Sequence, residues 1–156
     1  MQTKVRNIAS KFAIFGEFYF AESYGSGHIN DTYLGIFDQA GTHVRYIFQR
    51  INTNIFKRPD QLMENISRVL SHSKRKLVGK PADSRKALTL VPTLDGANYF
   101  TDADGNCWRC YLFIENARTY DIMESPDNAY QTAKAFGAFQ MLLSDLPGER
   151  LHEIGR

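Results

Sequence analysis

The stretch "SYGSGHINDTY", residues 23–33, decides how the rest of the chain is read. Gly25 and Gly27 stand between the β-rich runs "EFYFAES" and "NDTYLGIF", and a third run, "HVRYIFQRI", follows after "DQAGT" at 38–42. β-branched and aromatic residues bounded by glycine-containing turns predict three antiparallel strands between about residues 17 and 51. A strand on both sides of the glycines excludes a dinucleotide fingerprint and a P-loop, because both need a helix directly after the turn. What remains is a hairpin, and a glycine hairpin either reverses the chain or lets backbone N–H groups approach a phosphate without an intervening Cβ.

Outward from the meander, Val5, Ile8, Ala9, Phe12 and Ala13 recur at helical spacing and predict a short helix over residues 3–14. After the third run, "RPDQLMENISRVLSHSKRKLVG" opens with proline and aspartate, carries Leu62, Ile66, Val69 and Leu70 on one face and reaches Gly79. That pattern predicts a helix over about 60–77. "KPADSRKA" reads as a loop, and "LTLVPTL", "NYFTD" and "CWRCYLFIE" as strand candidates. The expected fold class is α+β, a five-stranded antiparallel sheet with one helix inserted after the third strand. Beyond the polar connector "NARTYDIMESPDN", the segment 129–145 reads as a helix apolar nearly all round, through Ala133, Phe136, Phe139, Leu142 and Leu143. Such a helix expects neighbours on several sides, so the chain is expected to be the front portion of a larger protein or to oligomerise.

Composition narrows the partners. A chain of 156 residues that is 43% hydrophobic and 13% aromatic has the apolar content of one compact core. A net charge of +2, from 19 basic and 17 acidic side chains, gives no bulk attraction to nucleic acid or membrane. The basic stretch from Arg68 to Lys86, seven basic residues and one acid, lacks interleaved aromatic platforms and reads as a solvated helix end and loop. No segment approaches about 18 consecutive apolar residues, so no membrane span is expected and the cytoplasm is the expected location. Cys107 and Cys110 form C-x-x-C within a strand-like run, where residues three apart point to opposite faces, and His28, His43, His72 and His152 lack ligand spacing. Two reduced strand thiols, no zinc and no redox pair follow.

Helix, three strands with glycines at the first turn, a helix, further strands and a linker into a helix is the layout of the small lobe of a kinase. The residues themselves go further. "YGSGHINDTYLGIF", "YIFQRINTNIFKRPDQLMENISRVLSH", "LVPTLDGANYFTDADGNCWRCYLFIENARTYD" and "AYQTAKAFGAFQMLLSDL" resemble the N-terminal half of the aminoglycoside phosphotransferase and choline kinase superfamily, closest to its N-acetylhexosamine 1-kinase branch. The likeness runs from about residue 15 to 153. It implies a protein-kinase-like N-lobe over residues 1–116, then a hinge linker and the first helix of an incomplete C-lobe over 117–156.

The resemblance assigns Gly25, Ser26, Gly27, His28 and Asn30 to a flap over the phosphates of ATP. It places a phosphate-gripping residue at Gln49 or Arg50 on the third strand, without choosing between them. Alternation puts Tyr46, Phe48 and Arg50 on one side of that strand and Ile47, Gln49 and Ile51 on the other. Glu64 is the candidate helix glutamate, and Phe113, Ile114, Glu115 and Asn116 match the hinge that reads the adenine edge. Trp108 and Tyr111 are read as core or sugar-edge packing. The superfamily's catalytic aspartate and asparagine and its magnesium-binding aspartate have no counterpart after the last helix, so ATP and Mg²⁺ are implied for the complete enzyme, no catalytic or metal residue is assigned here, and turnover by this chain alone is not expected. The implied acceptor is an N-acetylated hexosamine. The alternative is a non-catalytic nucleotide- or protein-binding module that forms a homodimer through the 129–145 helix.

Overall fold

The computed structural model describes residues 1–79 and 87–154. The predicted loop 80–87 and the end of the basic stretch thus fall almost wholly outside the described residues. The chain is α+β, with an open antiparallel sheet of six strands and three helices among the described residues. Helix α1 (Gln2–Ala9) leads into strands β1 (Glu17–Ser23), β2 (Asp31–Gln39) and β3 (Thr42–Ile51), followed by helix α2 (Pro59–Lys76). Strands β4 (Leu90–Val91), β5 (Phe100–Thr101) and β6 (Cys107–Leu112) precede helix α3 (Pro126–Leu143). The sheet runs β1-β2-β3-β6-β4, with β5 also paired to β6. The three-strand meander therefore forms as its turns predict. Ala40 and Gly41, at φ of 55° and 85°, make the tight β2–β3 turn, and both residues at positive φ match the right-handed twist of the flanking strands.

Three expectations need correction. The sheet has six strands rather than five, because "NYFTD" adds the two-residue β5 on the same edge of β6 as β4. The run "LTLVPTL" contributes only Leu90–Val91: Pro92 has no N–H to continue the ladder, and Thr93 turns the chain by accepting a backbone bond from Gly96 and donating one to Ala97. The first helix stops at Ala9, short of residue 14. There the backbone finds non-local partners instead, with Ala13 N donating to Pro92 O at 2.9 Å and Leu94 N to Lys11 O at 3.0 Å, so Phe12 keeps its place in the stripe as a bridge residue opposite Thr93.

Each face of the sheet is covered by a different helix. On one face, Val5, Ile8, Ala9 and Phe12 pack on Ala21, Phe37, Tyr46, Phe48, Trp108 and Cys110. On the other, Met63 of α2 is buried with Ile51 and Cys107, flanked by Leu62, Ile66 and Tyr99. Cys107 and Cys110 are free, buried and in separate clusters, as alternation along a strand requires. The C-terminal segment is strapped to α2: His152 N donates to Asn65 Oδ1 and Asn65 Nδ2 to His152 O, both at 2.9 Å, and Arg68 donates to the carbonyls of Pro147 and Glu149.

Candidate functional site

The hairpin between β1 and β2 has a seven-residue tip, Tyr24 to Asn30. Gly25 has a φ of +80°, and a Cβ built on Gly25 or Gly27 meets no atom within 4 Å. Gly25 is there for its backbone angle, and the N–H groups of residues 25–29 donate to no backbone acceptor among the described residues. Ser26 Oγ donates to Asp121 Oδ1 at 3.0 Å, which joins the tip to the connector beyond β6. His28 is exposed. Asn30 is committed to the base of the hairpin, its Oδ1 accepting from Asn52 N at 2.9 Å, the turn-forming use of this residue type.

Behind the tip lies the α2 face of the sheet. Tyr24 meets Phe113 edge-on at 5.7 Å, and the Arg45 guanidinium carbon stands 4.4 Å from the Phe113 ring centroid. Arg45 also grips Glu115 through two hydrogen bonds, Nε to Oε1 at 2.8 Å and a shorter one from Nη2 to Oε2. Those bonds first, and the attraction of opposite charge after them, hold the Glu115 carboxyl below its usual range. Phe113 N donates to Arg45 O at 3.0 Å, and Asn116 takes a positive φ of 57°. A recess of about 310 Å³ is lined by Leu112 to Asn116 with Ala87 and Thr89. A larger cavity of about 540 Å³ lies between the C-terminal half of α2 and β4, and no tip residue lines it.

The two phosphate-grip candidates on β3 point to opposite faces, as alternation predicts. Arg50 sits opposite Asp31 and forms an exposed ion pair with it. Gln49 faces the other way, between Thr32 and Arg109 of the neighbouring strands. Its Oε1 accepts from Arg109 Nε at 2.9 Å and its Nε2 donates to Thr32 Oγ1 at 3.1 Å. Arginine can only donate, so the oxygen of the amide must point at it. Glu64 is not drawn to either: its Oε2 accepts from His152 Nε2 at 2.8 Å. The helix residue that does approach is Met63, whose Sδ lies 4.0 Å from Arg109 Nη1.

Arg109 is not among the residues that the resemblance points to, since it lies on β6 rather than on the third strand. The signal for it in the sequence is an arginine in the middle of "CWRCYL", where Cys107, Trp108, Cys110 and Tyr111 around it are buried. Burial lowers its pKa from the ordinary arginine value. Among the described residues no group of three or more His, Cys, Asp or Glu side chains could hold a metal ion. No described helix is long and apolar enough to cross a membrane. No protein-family model matches the chain.

Proposed function

We propose that this chain is the nucleotide-binding lobe of a small-molecule kinase of the aminoglycoside phosphotransferase and choline kinase type, with ATP as phosphoryl donor and an N-acetylated hexosamine as acceptor. The observation that carries this reading is the closure of the glycine tip on the segment after β6. Ser26 bonds Asp121 and Tyr24 packs on Phe113, so the tip and the hinge candidate border the same sheet face, the one bearing Gln49, Arg109 and Tyr111. A nucleotide lying there would have its phosphates under open backbone amides and its base against Phe113.

The strand order supports the same reading, with a glycine hairpin, a third strand, a helix packed on the cleft face and a central strand running into the hinge. Because Phe113 N–H is taken by Arg45, recognition of the adenine edge falls to the backbone of Ile114 and Asn116. The acceptor comes from the sequence resemblance, in the motifs G-x-G-H-I-N-D-T and Q-R-I-N-x-x-I-F. The function assigned to the chain is to bind and orient the donor.

Titration calorimetry with ATP, ADP and adenosine tests the reading. Saturable binding of ATP at one site is expected, and absence of ATP binding at millimolar concentration would overturn it. A second reading, a module that dimerises through α3, has one observation in its favour: Tyr130, Phe136 and Met141 of that helix are 62%, 63% and 76% exposed. Sedimentation over a wide concentration range decides it, because a monomer throughout is incompatible with a dimer interface of that kind.

A further inference from the structure

We infer that Arg109 on β6, rather than either candidate on β3, is the cation that receives the nucleotide's phosphate chain, with Gln49 as the residue that positions it. The inference rests on the proposed nucleotide site and names the group that binds the donor's charge there.

Three features of the side chain point this way. A guanidinium has five N–H donors, and those of Arg109 find one strong acceptor, Gln49 Oε1, plus the weak sulfur of Met63. Its plane rests near Tyr111, 5.3 Å from the ring centroid, an arrangement that fixes the group without neutralising it. Arg45, Arg50, Arg58 and Arg150 each pair with a carboxylate and the partly buried Arg68 donates to two backbone carbonyls, whereas the partly buried Arg109 makes no ion pair and no bond to a backbone carbonyl among the described residues.

A partly desolvated charge without a counter-ion costs free energy, and such groups are retained where a ligand supplies the missing charge. The unpartnered end is within reach of one. No buried side-chain nitrogen or oxygen among the described residues lacks a partner, so Nη2, which makes no bond, keeps some access to solvent. The Nη2 N–H groups there are donors of the kind that phosphate oxygens accept from. Gln49 suits the positioning role because its amide orients the guanidinium while leaving its charge intact. A glutamate at the same place would pair with Arg109 and compete with the phosphates.

The test compares binding of ATP, adenosine and inorganic tripolyphosphate to the unaltered protein, Arg109→Met, Arg109→Lys, Gln49→Glu and, as a control on the opposite face of the sheet, Arg6→Gln. Arg109→Met is expected to weaken ATP and tripolyphosphate on the order of ten- to a hundredfold, with adenosine unchanged. Gln49→Glu should weaken ATP in the same direction while leaving the melting temperature equal or higher, an opposition that a merely structural role would not give. Arg109→Lys keeps the charge but loses the fork, and should fall between. Thermal melts identify any variant that does not fold, in which case Gln49→Glu and Arg109→Lys carry the comparison. ATP binding that survives Arg109→Met and Gln49→Glu would overturn this inference and leave the proposed function standing. Tripolyphosphate binding lost in Arg109→Met, with no ATP binding by the unaltered protein, would support Arg109 as a polyphosphate ligand and overturn the nucleotide reading.

Discussion

Gly35 sits in the middle of β2, in register with Tyr46, and its missing side chain is what lets the Phe48 ring lie across the sheet. A Cβ at this position would stand 2.7 Å from Phe48 Cε2 and 3.2 Å from Cδ2, with Phe37 Cε2 at 3.7 Å. Carbon atoms prefer about 3.5–4.0 Å, so the ring must retreat by close to an ångström. It has nowhere to go: Phe48 is fully buried and meets Phe12 edge-on at 6.0 Å. Gly35→Ala is therefore expected to destabilise the chain by about 1–3 kcal/mol. That corresponds to a melting temperature lower by roughly 2–12 °C for a domain of this size. Urea unfolding followed by circular dichroism measures the change. Phe48→Leu in the same background should recover some of it, so the double variant loses less than the sum of the singles. A loss below about 0.5 kcal/mol, within the range of ordinary surface substitutions, or strict additivity with Phe48→Leu, would refute the packing argument.

Two further predictions concern carboxylates. Asp102 Oδ2 accepts from Nε1 of the fully buried Trp108 at 2.9 Å, and its other oxygen caps the turn through Asp104 N and Asn106 N. Burial raises the Asp102 pKa, but these bonds outweigh it and the net direction is down. Asp102→Ala leaves the indole N–H unsatisfied and should cost about 1–3 kcal/mol in urea unfolding, and an unchanged midpoint would contradict that. Asp60 is brought to about 2 by its hydrogen bonds from Arg58, and Glu115 and Asp145 are lowered by Arg45 and Lys76 respectively. Folded-state values below the unfolded ones mean that stability is fully present above the unfolded carboxylate range, near pH 4, and is lost as pH falls through the folded values. Melting temperature should thus stay level above about pH 5 and decline toward pH 2, with the Asp60 carboxyl resonance titrating near the bottom of that window. A melting temperature independent of pH from 5 to 2 would contradict the sign.

The legible portions of this fold are those written in local chemistry. Turn residues at 25–27 and 40–41 mark both hairpins, and proline with aspartate at 59–60 marks the start of α2, so these elements lie where the sequence places them. Non-local contacts account for the departures. Phe12 continues the helical spacing of α1 but is claimed by the backbone around Pro92, and the run 88–94 is cut short by a proline whose effect depends on which strand lies beside it. At the site, alternation along β3 correctly separates Gln49 from Arg50. The pairing of Gln49 with Arg109 needs the register of β3 against β6, strands joined through more than fifty residues of intervening chain. Glu64 illustrates the same limit, since the His152 that takes it up is remote in sequence.

If the proposed function holds, the glycine tip and the segment after β6 are two sides of one nucleotide site. Amide chemical-shift mapping by nuclear magnetic resonance during an ATP titration reads both sides at once. Shifts concentrated together at Gly25–His28 and at Ile114–Asn116, saturating at one common concentration, are the predicted result. ATP-induced shifts confined to the α2–β4 cavity, or a spectrum that ATP leaves unchanged, would contradict it.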